Sequence, residues 1–191
     1  MRKLEDLCMR FGEHILFERL NFSFPAHGLV AVCGPSGSGK TTLLRIMAGL
    51  LQPQAGRVHG FDPAAICMVF QQPRLLPACS ARQNVIAVLG EMPRAARRER
   101  ADAMLSLFSA ASFAHKRPDV LSGGEQQRVA LARAFAPQCS VVLLDEPTAS
   151  MDAPLRRQIT SVLCEQAKDR LIVLATHSTE QIAVADYTLS L

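Results

Sequence analysis

Apolar positions in the first third of the chain come as short runs broken by glycine and proline. Residues 4–11 and 15–24 read as two β-strands around a Gly12-Glu13 turn, and Pro25-Ala26-His27-Gly28 interrupts the second. Leu29-Val30-Ala31-Val32-Cys33 is apolar without alternation, the pattern of a strand covered on both faces. The period then changes. Leu43, Met47 and Leu50 recur at i, i+4 and i+7, which predicts a helix from Lys40 to about Leu51, with Pro53 ending it. Residues 66–70 return to a strand pattern.

From about 72 to 128 the pattern is helical. Ser80-Ala81-Arg82-Gln83 has the form of a capping box, and Pro93 stands near a helix start. Residues 141–144 and 171–175 are buried-strand candidates enclosing a helix whose apolar face carries Leu155, Ile159, Val162 and Leu163. Strands alternating with helices predict an α/β fold with a largely parallel sheet. The expected organisation is one domain over 1–191, with a core of about 1–71 and 129–191 and an inserted helical subdomain of about 72–128.

Composition narrows the class. Hydrophobic residues make up 49% of 191 and charged residues 20%, an ordinary soluble balance. No apolar run approaches the roughly 18–20 residues that span a bilayer. The start, Met1-Arg2-Lys3-Leu4-Glu5-Asp6, does not read as a secretory signal, so a cytoplasmic location is expected. Six cysteines, at 8, 33, 67, 79, 139 and 164, form no C-x-x-C pair and read as reduced thiols. The net charge is +4, much of it from Arg94, Arg97, Arg98 and Arg100, interleaved with Glu99 and Asp102. That run reads first as a solvated helix face, and second as a contact for anionic lipid or nucleic acid. One Tyr and no Trp leave little for base stacking, so no nucleic-acid partner is expected.

Three segments carry chemistry. Gly34-Pro35-Ser36-Gly37-Ser38-Gly39-Lys40-Thr41, followed by Thr42, fits G-x-x-x-x-G-K-[ST] between an apolar strand and a helix. Glycines let backbone N–H groups wrap a phosphate, and the helix start adds partial positive charge. Lys40 is expected on the β- and γ-phosphates and Thr41 on Mg²⁺. A plain Gly/Ser turn has a similar composition, but not these flanks. The second segment, Val141-Val142-Leu143-Leu144-Asp145-Glu146, is an apolar strand ending in two carboxylates, where ligands of such sheets sit. Asp145 is placed to hold Mg²⁺, and Glu146 to polarise the water that attacks the γ-phosphate.

The third is Leu121-Ser122-Gly123-Gly124-Glu125-Gln126-Gln127-Arg128. Ser122-x-x-Glu125 is a capping box, predicting a helix to about Ala136, and Gly123 and Gly124 leave N–H groups uncovered at its positive end. With this octet the chain resembles the ABC-type ATPases over essentially its whole length.

The resemblance implies a P-loop fold with a mostly parallel RecA-like sheet, a small antiparallel β region and an inserted helical subdomain. It implies MgATP bound between two such domains, with Ser122, Gly123, Gly124 and Glu125 of one covering the γ-phosphate held by the other. It also places Phe11 as an adenine-stacking aromatic, Gln71 as the glutamine contacting Mg²⁺ or the attacking water, Asp152 in the loop joining the two sites, and His177 as the switch histidine. Read without it, Phe11 is equally a core residue, Gln71 a polar residue leaving a strand, Asp152 a helix N-cap and His177 a structural side chain.

The implied function is hydrolysis of ATP to power solute transport by a separate permease. The implied location is the inner face of the cell membrane. The expected partners are a second ATPase subunit, the permease and, for import, a secreted binding protein. Residues 69–77 resemble importers of the nitrate, sulfonate and taurine group. An exporter, a lipoprotein-release or cell-division ATPase, and a non-transport ABC ATPase are the alternatives. The family often has Ala-Leu-Asp where Ser150-Met151-Asp152 stands here, and Asp in place of Ser178; neither change removes a named catalytic group.

Overall fold

Strands β1 (Arg2–Phe11), β2 (His14–Phe24) and β4 (Ala55–His59) form an antiparallel sheet in the order β2-β1-β4. A second sheet has the order β5-β6-β7-β3-β8, from β3 (Gly28–Cys33), β5 (Ile66–Val69), β6 (Val141–Asp145), β7 (Leu171–Ala175) and β8 (Tyr187–Ser190). Within it β3 pairs in parallel with β7 and β8, and β6 with β7. The computed structural model describes all of residues 1–191. The chain divides into two compact units, one of Met1–Met68, Ser140–Glu146 and Leu163–Leu191, the other of Val69–Cys139 and Pro147–Val162.

In the first unit the central strands are apolar on both faces because both are covered. Val30, Val32, Leu143, Leu171 and Val173 share one core with Leu43, Leu44 and Met47 of helix α1 (Lys40–Met47) and with Leu4, Leu7, Phe17 and Phe24 of the antiparallel sheet. Helix α1 packs on β6 and β7, so what α1 and β6 carry at their facing ends is brought together.

Helix α1 is shorter than its periodicity predicts. Gly49, at φ 71, turns the chain left-handed, with Gly49 N–H on Ile46 C=O at 3.0 Å and Leu50 N–H on Arg45 C=O at 2.8 Å. This paired closure satisfies the last carbonyls and ends the helix before Pro53 is reached. Leu50 is 60% exposed, so its apparent place on the apolar face was a coincidence of spacing.

Two elements lie outside the sequence expectation. Strand β4 is mostly exposed and lacks an apolar alternation. Its Gly56 admits the close approach to β1, since a Cβ there would stand 2.4 Å from the Asp6 carbonyl oxygen. Helix α6 (Thr179–Ala183) is a single short turn capped by Ser178.

In the second unit helices α2 (Ala81–Ile86), α3 (Arg94–Leu107) and α4 (Gly123–Phe135) pack against one another. Val85, Leu105, Phe108, Leu131 and Phe135 are buried there, the Phe108 and Phe135 rings 5.1 Å apart. Asn84, fully buried, accepts from Leu76 N–H at 2.7 Å and donates to the carbonyls of Leu76, Cys79 and Ser80. Arg133 donates to the carbonyls of Pro73 and Arg74 at 2.9 and 3.0 Å. Together they fasten the loop after β5. Arg100 leaves its basic run to bond Phe135 and Ala136 C=O, capping the end of α4. Helix α5 (Ala153–Gln166) begins in the second unit and ends in the first.

Cys8, Cys33, Cys79 and Cys164 are free thiols, whereas Cys67 and Cys139 are disulfide-bonded, which corrects the all-reduced expectation. No spacing motif marks either residue.

Candidate functional site

The loop leaving β3 is shaped by glycines that no other residue would replace. Gly34 has φ 152, and a Cβ on it would meet the Leu191 carbonyl oxygen and Ser38 Oγ at 2.7 Å. Gly39, the left-handed N-cap of α1 at φ 100, would press a Cβ within 3.1 Å of Leu16 and 3.2 Å of Phe17. Pro35, Ser36 and Gly37 stand exposed at the crown of the loop, and Thr42 continues the first turn of α1 behind it.

Lys40 is buried, its Nζ donating to the carbonyls of Gly34 and Pro35 at 2.9 Å each. Ser38 Oγ is buried and has no hydrogen-bond partner. An orphaned hydroxyl inside a Gly-rich cradle, beside a lysine ammonium, is what an entering phosphate oxygen would satisfy.

Across from the loop, β6 ends in Asp145, 2% exposed, and Thr41 Oγ1 donates to its Oδ1 at 3.0 Å. Burial pushes the Asp145 carboxyl above its ordinary range, opposed first by the Thr41 hydroxyl and then by Arg45 and Lys40. These two hard oxygens suit Mg²⁺, which keeps several waters and takes phosphate oxygens rather than a full protein cage.

Glu146 follows at φ 48, left-handed and rare for a non-glycine residue, with its N–H on Ala175 C=O at 3.0 Å. Its Oε1 lies 3.2 Å from His177 Nε2, close enough to pair in charge but not aligned as a hydrogen bond. Burial raises the Glu146 carboxyl, while His177 and Lys40 pull it back. His177 is held by residues that sequence reasoning did not single out. Thr176, buried, donates from Oγ1 to Gln181 Oε1 at 2.6 Å and accepts from Ser178 N–H at 3.0 Å. Lys40, Thr41, Asp145, Glu146 and His177 thus converge at the carboxyl ends of β3, β6 and β7, within the first unit.

Phe11, at the end of β1, is 55% exposed, which removes its reading as a core residue. The neighbouring Arg10 peptide is gripped at both ends by the Gln54 side-chain amide, at 3.0 and 3.1 Å.

The second unit holds the other expected residues. Gln71 is exposed just after β5. The preceding Phe70 accepts from Gln127 Nε2 at 3.4 Å and lies 4.0 Å beneath the Arg74 guanidinium. Ser122 caps α4 as its capping box predicts. Ser122 Oγ accepts from Glu125 N–H at 3.3 Å, and Glu125 Oε2 accepts from Ser122 N–H at 2.8 Å. Those bonds hold the Glu125 carboxyl below the usual range.

A Cβ on Gly124 would stand 2.7 Å from the Ser150 carbonyl oxygen, whereas one on Gly123 would meet Ser150 Oγ only at 3.9 Å. The start of α4 therefore abuts the segment leading to Asp152. Asp152 itself caps α5, Oδ1 accepting from Leu155 N–H at 3.0 Å. Gln126, given no role of its own within the octet, donates to Pro118 and Leu121 C=O and fixes the chain entering α4.

A family model described as ABC transporter matches residues 17–149. The chain belongs to the ABC transporter family. Among its ABC relatives, the Fe(3+) ions import ATP-binding protein FbpC of Photorhabdus laumondii is 38% identical over 202 residues, covering 98% of this chain. The chain spans 57% of the length of that relative. The probable sulfate/thiosulfate import ATP-binding protein CysA of Chlorella vulgaris is 39% identical over 173 residues, 85% of this chain and 73% of that one. Among solved ABC structures, the dimeric post-hydrolysis state of the ATP-binding cassette MJ0796 bound to ADP and Pi is 31% identical with TM-score 0.90. It covers 100% of this chain and 94% of that one.

Proposed function

We infer that the chain is an ATP-binding and ATP-hydrolysing subunit that powers import of a small solute across a cell membrane through a separate permease. The observation that carries the reading is the Thr41 Oγ1–Asp145 Oδ1 contact of 3.0 Å, in one unit with Lys40, Glu146 and His177. The relatives named for ferric ion and for sulfate or thiosulfate import support the direction of transport.

In this reading Lys40 exchanges the carbonyls of Gly34 and Pro35 for β- and γ-phosphate oxygens, and Ser38 Oγ gains its missing partner. Residues 34–42 together hold the triphosphate, and exposed Phe11 stacks on adenine. Mg²⁺, when bound, neutralises charge developing on the transferring phosphoryl group. Thr41 and Asp145 would hold it. Glu146 orients and polarises the attacking water; burial raises its carboxyl above the ordinary range, and His177 and Lys40 oppose that rise. His177 steadies the γ-phosphate, and Thr176 and Gln181 keep His177 in place.

Ser122, Gly123, Gly124 and Glu125 close the site of a second copy, and Asp152 links the two sites. The MJ0796 dimer bound to ADP and Pi supports such pairing. The pair works on the inner face of the membrane beside the permease, with a secreted binding protein serving the permease from the other side.

The test is steady-state phosphate release by the full chain with MgATP. Glu146→Gln is expected to keep ATP binding while lowering release by about 10²–10⁴-fold, the usual contribution of a general base. Release at the parental rate by that variant would remove Glu146 from the role and the reading with it.

A further inference from the structure

A cleft of about 660 Å³ opens in the second unit, lined by Arg82 of α2, Arg94, Arg97 and Arg98 of α3, and His115 and Arg117 from the loop before α4. None of these residues belongs to the phosphate loop, the acidic pair or the α4 cap. No carboxylate lines the cleft. Its charge is only partly compensated. Asp102 lies 2.5 Å from Arg82 Nε and 4.0 Å from Arg98 Nε. Arg94 and Arg117 have no carboxylate partner within ion-pair distance, and Arg97 reaches only the Gly90 carbonyl at 3.5 Å, its Nε buried with no partner.

The arrangement works against the helix that builds it. Arg94, Arg97 and Arg98 lie at i, i+3 and i+4, so like charges share one face. They crowd the start of α3, whose first turn carries no acid, where the macrodipole favours anions. Unpaired guanidinium groups on a concave wall raise the local positive potential. Their planar forks match phosphate oxygens two at a time. The volume is that of a small-molecule site, and Ile86 is the one aliphatic side chain in the lining, too little for an apolar ligand.

We propose that this cleft is an anion site for a phosphate-bearing ligand of two or more negative charges, separate from the nucleotide site. A phospholipid headgroup and a soluble polyphosphate-type compound present the same chemistry. The inference is independent of the proposed ATPase function.

The test uses the full chain carrying Lys40→Ala, which silences the phosphate loop. It is titrated calorimetrically with tripolyphosphate and co-sedimented with vesicles of cardiolipin in phosphatidylcholine. Binding of either probe is expected, weakened about tenfold or more by Arg94→Gln with Arg117→Gln and less by the matching Lys pair, which keeps charge but not the fork. Binding of the vesicles alone assigns the site to a lipid headgroup, and of tripolyphosphate alone to a soluble ligand. The Lys pair keeps the result readable where the Gln pair fails to fold. With Lys40 intact, the Gln pair is expected to release phosphate from ATP at the parental rate. Equal binding by parent and Gln pair would overturn the proposal. So would binding of a polyglutamate peptide with neither phosphate probe.

Discussion

Two adjacent glycines, Gly123 and Gly124, make separable predictions because their surroundings differ. Gly124→Ala drives a Cβ to 2.7 Å from a backbone oxygen, and backbone does not yield as a flexible side chain does. It is expected to lower stability by about 1–3 kcal/mol, read as a shifted denaturant midpoint. Gly123→Ala meets only ordinary contact at 3.9 Å and sits inside a helix, so stability is expected to hold or rise by up to about 1 kcal/mol.

The acidic pair makes a prediction about pH. Burial raises both carboxyls, so the folded chain without nucleotide holds those protons more tightly than the unfolded chain. Their contribution to stability is therefore full below the unfolded pKa values and is lost as pH rises through the elevated folded ones. Asp145→Asn and Glu146→Gln are each expected to raise the thermal midpoint of the nucleotide-free chain near neutral pH. The gain should shrink under acid conditions, and an equal gain at both would refute the burial argument.

The residues that converge at the candidate site were largely legible, because a phosphate loop and a strand-end Asp-Glu are local patterns. The supports were not. Thr176 and Gln181 look ordinary until α6 folds back, and Ser38 becomes notable only when its hydroxyl is seen buried without a partner.

Among the elements, the helix starts were written in capping boxes, and both boxes form, at Ser80 and Ser122. Ser80 has no role at the nucleotide site. Ser80→Ala is expected to cost about 1 kcal/mol in urea unfolding and to leave phosphate release unchanged. The end of α1 was misread because an apolar Leu50 extended the period, whereas the chain obeys Gly49. Strand β4 and helix α6 were missed for a common reason. Both are short, and their existence depends on partners distant in sequence. The sheet order, with β3 between β7 and β8, likewise has no local signal.

For the whole molecule, the two helix starts proposed to meet phosphate lie in different compact units, α1 in the first and α4 in the second. In the proposed reading each nucleotide is held by the α1 start of one copy and the α4 start of another, so turnover depends on assembly. Specific phosphate-release rate is expected to rise with protein concentration and then level off. A rate independent of concentration down to strictly monomeric samples would argue that one copy suffices.

The most direct test is a structure of the Glu146→Gln chain loaded with MgATP. The account predicts two copies with the γ-phosphate between Lys40 of one and the α4 cap, Ser122 with its glycines, of the other. A nucleotide-loaded monomer, or a pair in which Ser122 of neither copy approaches a nucleotide, would contradict it.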